Sequence, residues 1–113
     1  MKVFQTNTAN GFSEELNAYR EFDHANVIKM HDYGKRAVFN PSDGGKSYTC
    51  NFLVFDYIVG GELFDVVIRE PQIPDAGIRL IFGSILAGIK HVHDKGLAHR
   101  DLKMENILLD ENF

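Results

Sequence analysis

Five apolar residues, Ile78, Phe82, Ile85, Ile89 and Val92, follow one another at steps of four, three, four and three. That rhythm marks one face of an α-helix and fits no strand, where apolar positions recur at every second residue. Ile73-Pro74-Asp75 opens the segment, and Gly96, just after Lys95, sits where a C-terminal cap is expected. Gly83 and Gly88 each weaken such a helix by about 1 kcal/mol relative to alanine, which makes sense where a second helix packs closely. A shorter helical segment, Glu62 to Ile68, precedes it after a flexible break at Gly60-Gly61.

Before that break the texture differs. Phe12, Leu16, Tyr19 and Phe22 fall near a helical period, with Ser13 placed to cap the N-terminus. Val27-Ile28-Lys29-Met30 reads as a short strand ending near Tyr33-Gly34. Asn40-Pro41-Ser42-Asp43-Gly44-Gly45 is a dense turn signal. Asn51 to Tyr57 is an apolar run too short for most helices and rich in strand formers. A small β-rich part followed by a helical part is α+β texture, not a repeating βαβ pattern. At 113 residues the chain has the length of one small domain.

Charge and cysteine content exclude several classes. The formal net charge of −4 disfavours a sequence-independent grip on nucleic acid or on anionic membrane, so neither is expected as a partner. The single cysteine, Cys50, excludes an intrachain disulfide and any multi-cysteine zinc site, and it fits an intracellular, cytoplasmic location. Met1 to Thr6 lacks the apolar core of a signal peptide. The longest quasi-apolar stretch, Leu80 to Ile89, is far short of the roughly 18 residues of a membrane span.

The strongest chemical signal is His99-Arg100-Asp101-Leu102-Lys103-Met104-Glu105-Asn106, followed by the apolar run Ile107-Leu108-Leu109. Charge concentrated between an apolar helix and an apolar run points to a working loop. Asp101 can accept a proton from an attacking hydroxyl, and Lys103 can neutralise a transferring phosphoryl group. Asn106 offers an amide oxygen, a hard ligand suited to magnesium. Other patterns fail on geometry. Gly44-Gly45-Lys46-Ser47 lacks the leading glycine of a phosphate-binding loop, Asn40 standing there, and it runs into an apparent strand. His91 and His93, two apart on a helix, point in different directions and cannot chelate one metal.

The string resembles the catalytic loop of the eukaryotic protein kinase family, His-Arg-Asp-Leu-Lys-Pro-Glu-Asn, with Met104 in place of the proline. The resemblance implies Asp101 as catalytic base, Asn106 as magnesium ligand and Lys103 as phosphate contact, lysine there being typical of the serine/threonine branch. It also implies that His99 packs behind the loop and that Arg100 pairs with a phosphorylated activation loop.

Further segments keep the same register. Leu53 to Phe64 resembles the family's fifth strand and hinge. Backbone groups of Asp56 and Ile58 would bond adenine, with Phe55 as the bulky residue behind the pocket. Glu62 would lie near the ribose or a basic substrate residue, while Leu63 and Leu108 would cover the lower face of adenine. Glu21 to Met30 resembles the end of the regulatory helix and the fourth strand, with Ala25 where proline is usual. Nine residues before His24 stands Glu15, the helix glutamate. Met1-Lys2-Val3-Phe4 resembles the tail of the third strand, which makes Lys2 the lysine for the α- and β-phosphates.

The implied fold is a two-lobed, kinase-like α+β fold, incomplete, with a small-lobe portion and hinge at 1–58 and a large-lobe portion at 59–113. The glycine-rich phosphate loop would precede residue 1 and the Asp-Phe-Gly magnesium site would follow Phe113. The implied cofactors are ATP and Mg2+, and the implied partner is a protein substrate. The Gly60 to Asp65 run resembles the calcium/calmodulin-dependent kinase-like group, and Glu62 and Glu105 hint at basic residues near the phosphosite. The expected activity is transfer of the γ-phosphoryl group of ATP to protein hydroxyls, with the isolated chain inactive. The alternative is a non-catalytic, kinase-derived interaction module.

Overall fold

The computed structural model describes residues 1–6 and 11–112. In chain order the elements are β1 (Lys2–Gln5), α1 (Phe12–Arg20), β2 (Met30–Phe39), β3 (Tyr48–Phe55), α2 (Leu63–Arg69) and α3 (Asp75–Asp94), then a single 3-10 turn at Met104–Asn106. They form two compact units, one of Met1–Asp23 and Ile28–Asp56, the other of His24–Val27 and Tyr57–Phe113.

The first unit is an antiparallel sheet in the order β1-β3-β2, covered by α1. β3 is central because its run of Phe52-Leu53-Val54-Phe55 suits a strand paired on both sides. Phe4 of β1 and Leu53 of β3 meet Phe12 and Leu16, which lie one helical turn apart on α1. Leu53 is fully buried, and Phe4 meets Phe12 edge to face at 5.4 Å between ring centres. Tyr19, Met30 and Phe55 close the rim of this core.

Two local expectations need correction here. The N-cap of α1 is Gly11, at φ 70°, and not Ser13, which lies inside the first turn. Glu15 donates its N–H to the Gly11 carbonyl at 3.0 Å, and the acidic first turn of Glu14 and Glu15 complements the helix dipole. β2 starts at Met30 instead of Val27 and runs past Gly34 to Phe39. The Val27 N–H is captured by the His24 carbonyl (3.1 Å) and the Asn26 N–H by His24 Nδ1 (3.0 Å), so this stretch closes into a turn. β2 crosses its glycine by a bulge between Gly34 and Ala37, where Arg36 (φ 53°) donates its N–H to Asn51 Oδ1 at 2.9 Å.

In the second unit α3 ends as expected. Gly96 at φ 75° lets its N–H reach the His93 carbonyl (2.9 Å) while the Leu97 N–H reaches that of Val92 (3.2 Å). Gly88 faces a close approach, but by a turn and not by a helix. A Cβ there would lie 2.6 Å from the Asn26 carbonyl oxygen, and His24 of the same turn stacks on His91 with ring centres 5.1 Å apart. Around Gly83, apart from the helix's own backbone and the chain neighbours, no described atom lies within 4 Å of such a Cβ.

The apolar stripe of α3 is only partly covered. Val92 is buried, whereas Ile78 and Phe82 remain 51% and 59% exposed. They line an open groove of about 410 Å³ together with Leu63 and Val67 of α2 and with Met104 and Ile107. Among the described residues no helix is long and apolar enough to cross a membrane.

Candidate functional site

After the Gly96 cap the chain leaves α3 and forms a loop that turns on itself. Arg100 adopts φ 69°, a left-handed conformation that costs a non-glycine residue on the order of 1 kcal/mol or more. The Asp101 N–H donates to His99 Nδ1 at 3.2 Å. His99 therefore braces the loop through its ring nitrogen while staying exposed, instead of packing behind it.

Asn106, at the end of the 3-10 turn, closes the loop. Its Nδ2 donates to the Asp101 carbonyl at 2.8 Å and to Asp101 Oδ2 at 2.9 Å. Lys103 Nζ stands 3.9 Å from Asp101 Oδ1. The result is an exposed carboxylate with one oxygen held by an amide and the other beside a cation. Because the Asn106 nitrogen is used inward, its Oδ1 is left as an acceptor with no partner among the described residues. One such oxygen fits magnesium as a single ligand, since this ion takes few protein groups and fills its shell with water and phosphate. No group of three His, Cys, Asp or Glu side chains that could hold a metal occurs among the described residues.

The loop is tied to the start of α2. Leu63 donates its N–H to the Ile107 carbonyl at 2.8 Å and Leu109 to that of Gly61 at 2.9 Å, making Glu62 and Leu108 an antiparallel bridge. This explains Gly60-Gly61, which is not a flexible break. A Cβ on Gly60 would lie 2.2 Å from the Leu109 carbonyl oxygen, and Gly61 sits at φ 77°. Leu108 is 44% exposed beside Glu62, while Leu63 is buried. Ile107-Leu108-Leu109 forms this one bridge and no longer strand among the described residues.

The remaining candidates lie in or next to the first unit. Lys2 Nζ meets Glu15 Oε1 at 2.6 Å and also stands 5.1 Å from the centre of the Phe4 ring. Phe55, half-buried, packs edge-on against Tyr19 at 4.7 Å. Burial raises the Tyr19 hydroxyl above its ordinary pKa, and the nearby charge of Glu15 adds to the effect. Asp56 donates its N–H to the Lys29 carbonyl at 3.0 Å, and its own carbonyl has no partner among the described residues. The Ile58 N–H has no acceptor among the described residues.

Sequence reasoning passed over His31, which bonds Asp56 Oδ1 through Nε2. No spacing rule reveals that contact. It depends on the β2–β3 register, which pairs Met30 with Phe55 and places His31 next to the end of β3.

The family described as "Protein kinase domain" matches residues 1–113. "CBL-interacting protein kinase 8" of Oryza sativa subsp. japonica is 30% identical over 110 residues, covering 96% of this chain and 22% of the relative. "Fatty acyl-CoA synthetase and RNA processing-associated kinase 1" of Saccharomyces cerevisiae is 29% identical over 98 residues, 87% of this chain and 10% of the relative. "Maternal embryonic leucine zipper kinase" of Xenopus laevis is 43% identical over 61 residues, 54% of this chain and 9% of the relative. The chain thus spans less than a quarter of the length of each of these proteins.

Proposed function

This chain belongs to the protein kinase family, and from that premise we propose that it carries the catalytic loop of a serine/threonine protein kinase that uses ATP and magnesium. The observation that carries the reading is the Asp101–Asn106 closure, with Lys103 beside it. Asp101 takes the proton of a serine or threonine hydroxyl as that oxygen bonds to the γ-phosphorus and the bond to the β-phosphate oxygen breaks. Asn106 holds the carboxylate in place through its nitrogen, which confines the proton acceptor to one position. Lys103 neutralises charge on the moving phosphoryl group. Magnesium, when bound, shields the phosphate charges, and the free Asn106 Oδ1 is the oxygen offered to it.

For the nucleotide, the Asp56 carbonyl is an acceptor suited to the amino group of adenine and the Ile58 N–H a donor suited to its ring nitrogen. The family resemblance assigns Leu63, Leu108 and Phe55 each to the apolar surround of adenine and Glu62 to the ribose or the substrate. Glu15 orients Lys2 for the α- and β-phosphates. Glu62 and Glu105 favour protein substrates with basic residues near the phosphosite.

The test is phosphate incorporation from labelled ATP into a generic basic protein substrate by the whole protein. Asp101→Asn is expected to lower it by about 100-fold or more. Incorporation unchanged by that substitution overturns the assignment. A whole protein that transfers no phosphate under any condition supports the non-catalytic reading instead.

A further inference from the structure

We propose that His31 is a positioning residue for the nucleotide, acting through Asp56. The inference rests on the reading of Asp56 as an adenine contact.

Asp56 follows the last residue of β3, and two contacts from the β2 side hold it. Its N–H donates to the Lys29 carbonyl at 3.0 Å, and its Oδ1 bonds His31 Nε2. The first contact fixes the peptide unit before the Asp56 Cα, and the second fixes the side chain. With both held, the bond from Cα to the carbonyl carbon has a set direction. Rotation about that one bond is the only soft motion left to the carbonyl oxygen. A hydrogen bond to adenine depends steeply on that orientation.

The sheet register shows why His31 reaches this point. Met30 pairs with Phe55 but Asp32 pairs with Val54, so the ladder shifts between Met30 and Asp32 and His31 is the extra residue. A bulge of this kind releases a side chain from strict alternation and re-aims it. Here it aims the imidazole at the carboxylate that follows β3. The side chains of His31 and Asp56 are 48% and 42% exposed, so the pair adds little to stability and its removal leaves the fold in place.

The experiment measures ATP and protein-substrate kinetics of the whole protein, with binding of a non-hydrolysable ATP analogue by calorimetry. His31→Ala is expected to raise the KM for ATP roughly three- to tenfold, as loss of one orienting hydrogen bond should, with kcat and the KM for protein substrate nearly unchanged. His31→Gln, which keeps a donor, is expected to recover part of the loss. Asp56→Ala removes the same contact from the other side and should match His31→Ala, and the double variant should be no worse than either. Were His31→Ala to unfold, Asp56→Ala and His31→Gln still decide the matter. Wild-type ATP affinity in Asp56→Ala, or additive losses in the double variant, overturns the positioning role alone. A wild-type protein that binds no nucleotide analogue overturns the functional reading and this inference with it.

Discussion

Lys2 and Glu15, 13 residues apart, form an ion pair at 2.6 Å between the first strand and the first helix. The lysine side chain is 51% exposed and the glutamate 35%, and pairs in such surroundings contribute about 0–1 kcal/mol. Stability is therefore a weak reason for the contact. Holding an ammonium group at a set place is a stronger one.

Lys2→Met is accordingly expected to separate function from folding. Phosphate transfer by the whole protein should fall by about tenfold or more, while the melting midpoint moves by no more than a few degrees. Equal transfer by the variant and the parent would remove Lys2 from the phosphate site.

Asn106→Ala cuts both hydrogen bonds to Asp101 and removes the free amide oxygen. Turnover should drop about tenfold or more, and the magnesium concentration giving half-maximal activity should rise. A magnesium titration of the two proteins reads both effects. An unchanged midpoint with reduced turnover would restrict Asn106 to holding Asp101.

Two of the three glycines inside α3, Gly83 and Gly88, should respond to alanine with opposite signs. At Gly83 nothing beyond the helix's own backbone and the chain neighbours comes within 4 Å of an added Cβ among the described residues, so Gly83→Ala is expected to stabilise by about 0.5–1 kcal/mol through helix propensity. At Gly88 the Cβ would lie 2.6 Å from the Asn26 carbonyl oxygen, a backbone atom that cannot step aside, so Gly88→Ala should cost about 1–3 kcal/mol. Denaturant unfolding of both variants measures this, and equal midpoints would show that the Asn26 turn yields freely.

Alkaline pH offers a check on the first unit. The Tyr19 pKa is raised above 10.0 in the folded chain, by burial first and by the Glu15 charge second. The unfolded chain therefore loses this proton at lower pH than the folded chain. Stability should fall as pH rises past about 10, and the loss is complete once pH exceeds the folded value. Tyr19→Phe should flatten that part of the stability profile, and an unchanged slope would place the effect on another group.

The string from His99 to Asn106 was legible because its residues are contiguous. Residues 99–106 sit within one loop, and the hydrogen bonds that close it span at most five positions. The helical stripe of α3 and its Gly96 cap were legible for the same reason, since helix geometry couples neighbours three and four apart. Periodicity was less informative about burial, because it marks which face is apolar without saying what covers it. Ile78 and Phe82 keep the rhythm of a core and stay exposed.

Composition, spacing and turn chemistry alone thus determined the class of fold, the order of most elements and the loop to which we assign the chemistry. Tertiary structure decided the rest. It set β2 to begin at Met30, brought His31 to Asp56 across 25 residues and made Gly60 and Gly88 points of backbone contact. Each of these depends on strand register or on a carbonyl arriving from a distant segment. Such contacts form only when the chain has closed long loops, and no local pattern encodes which atoms will then meet.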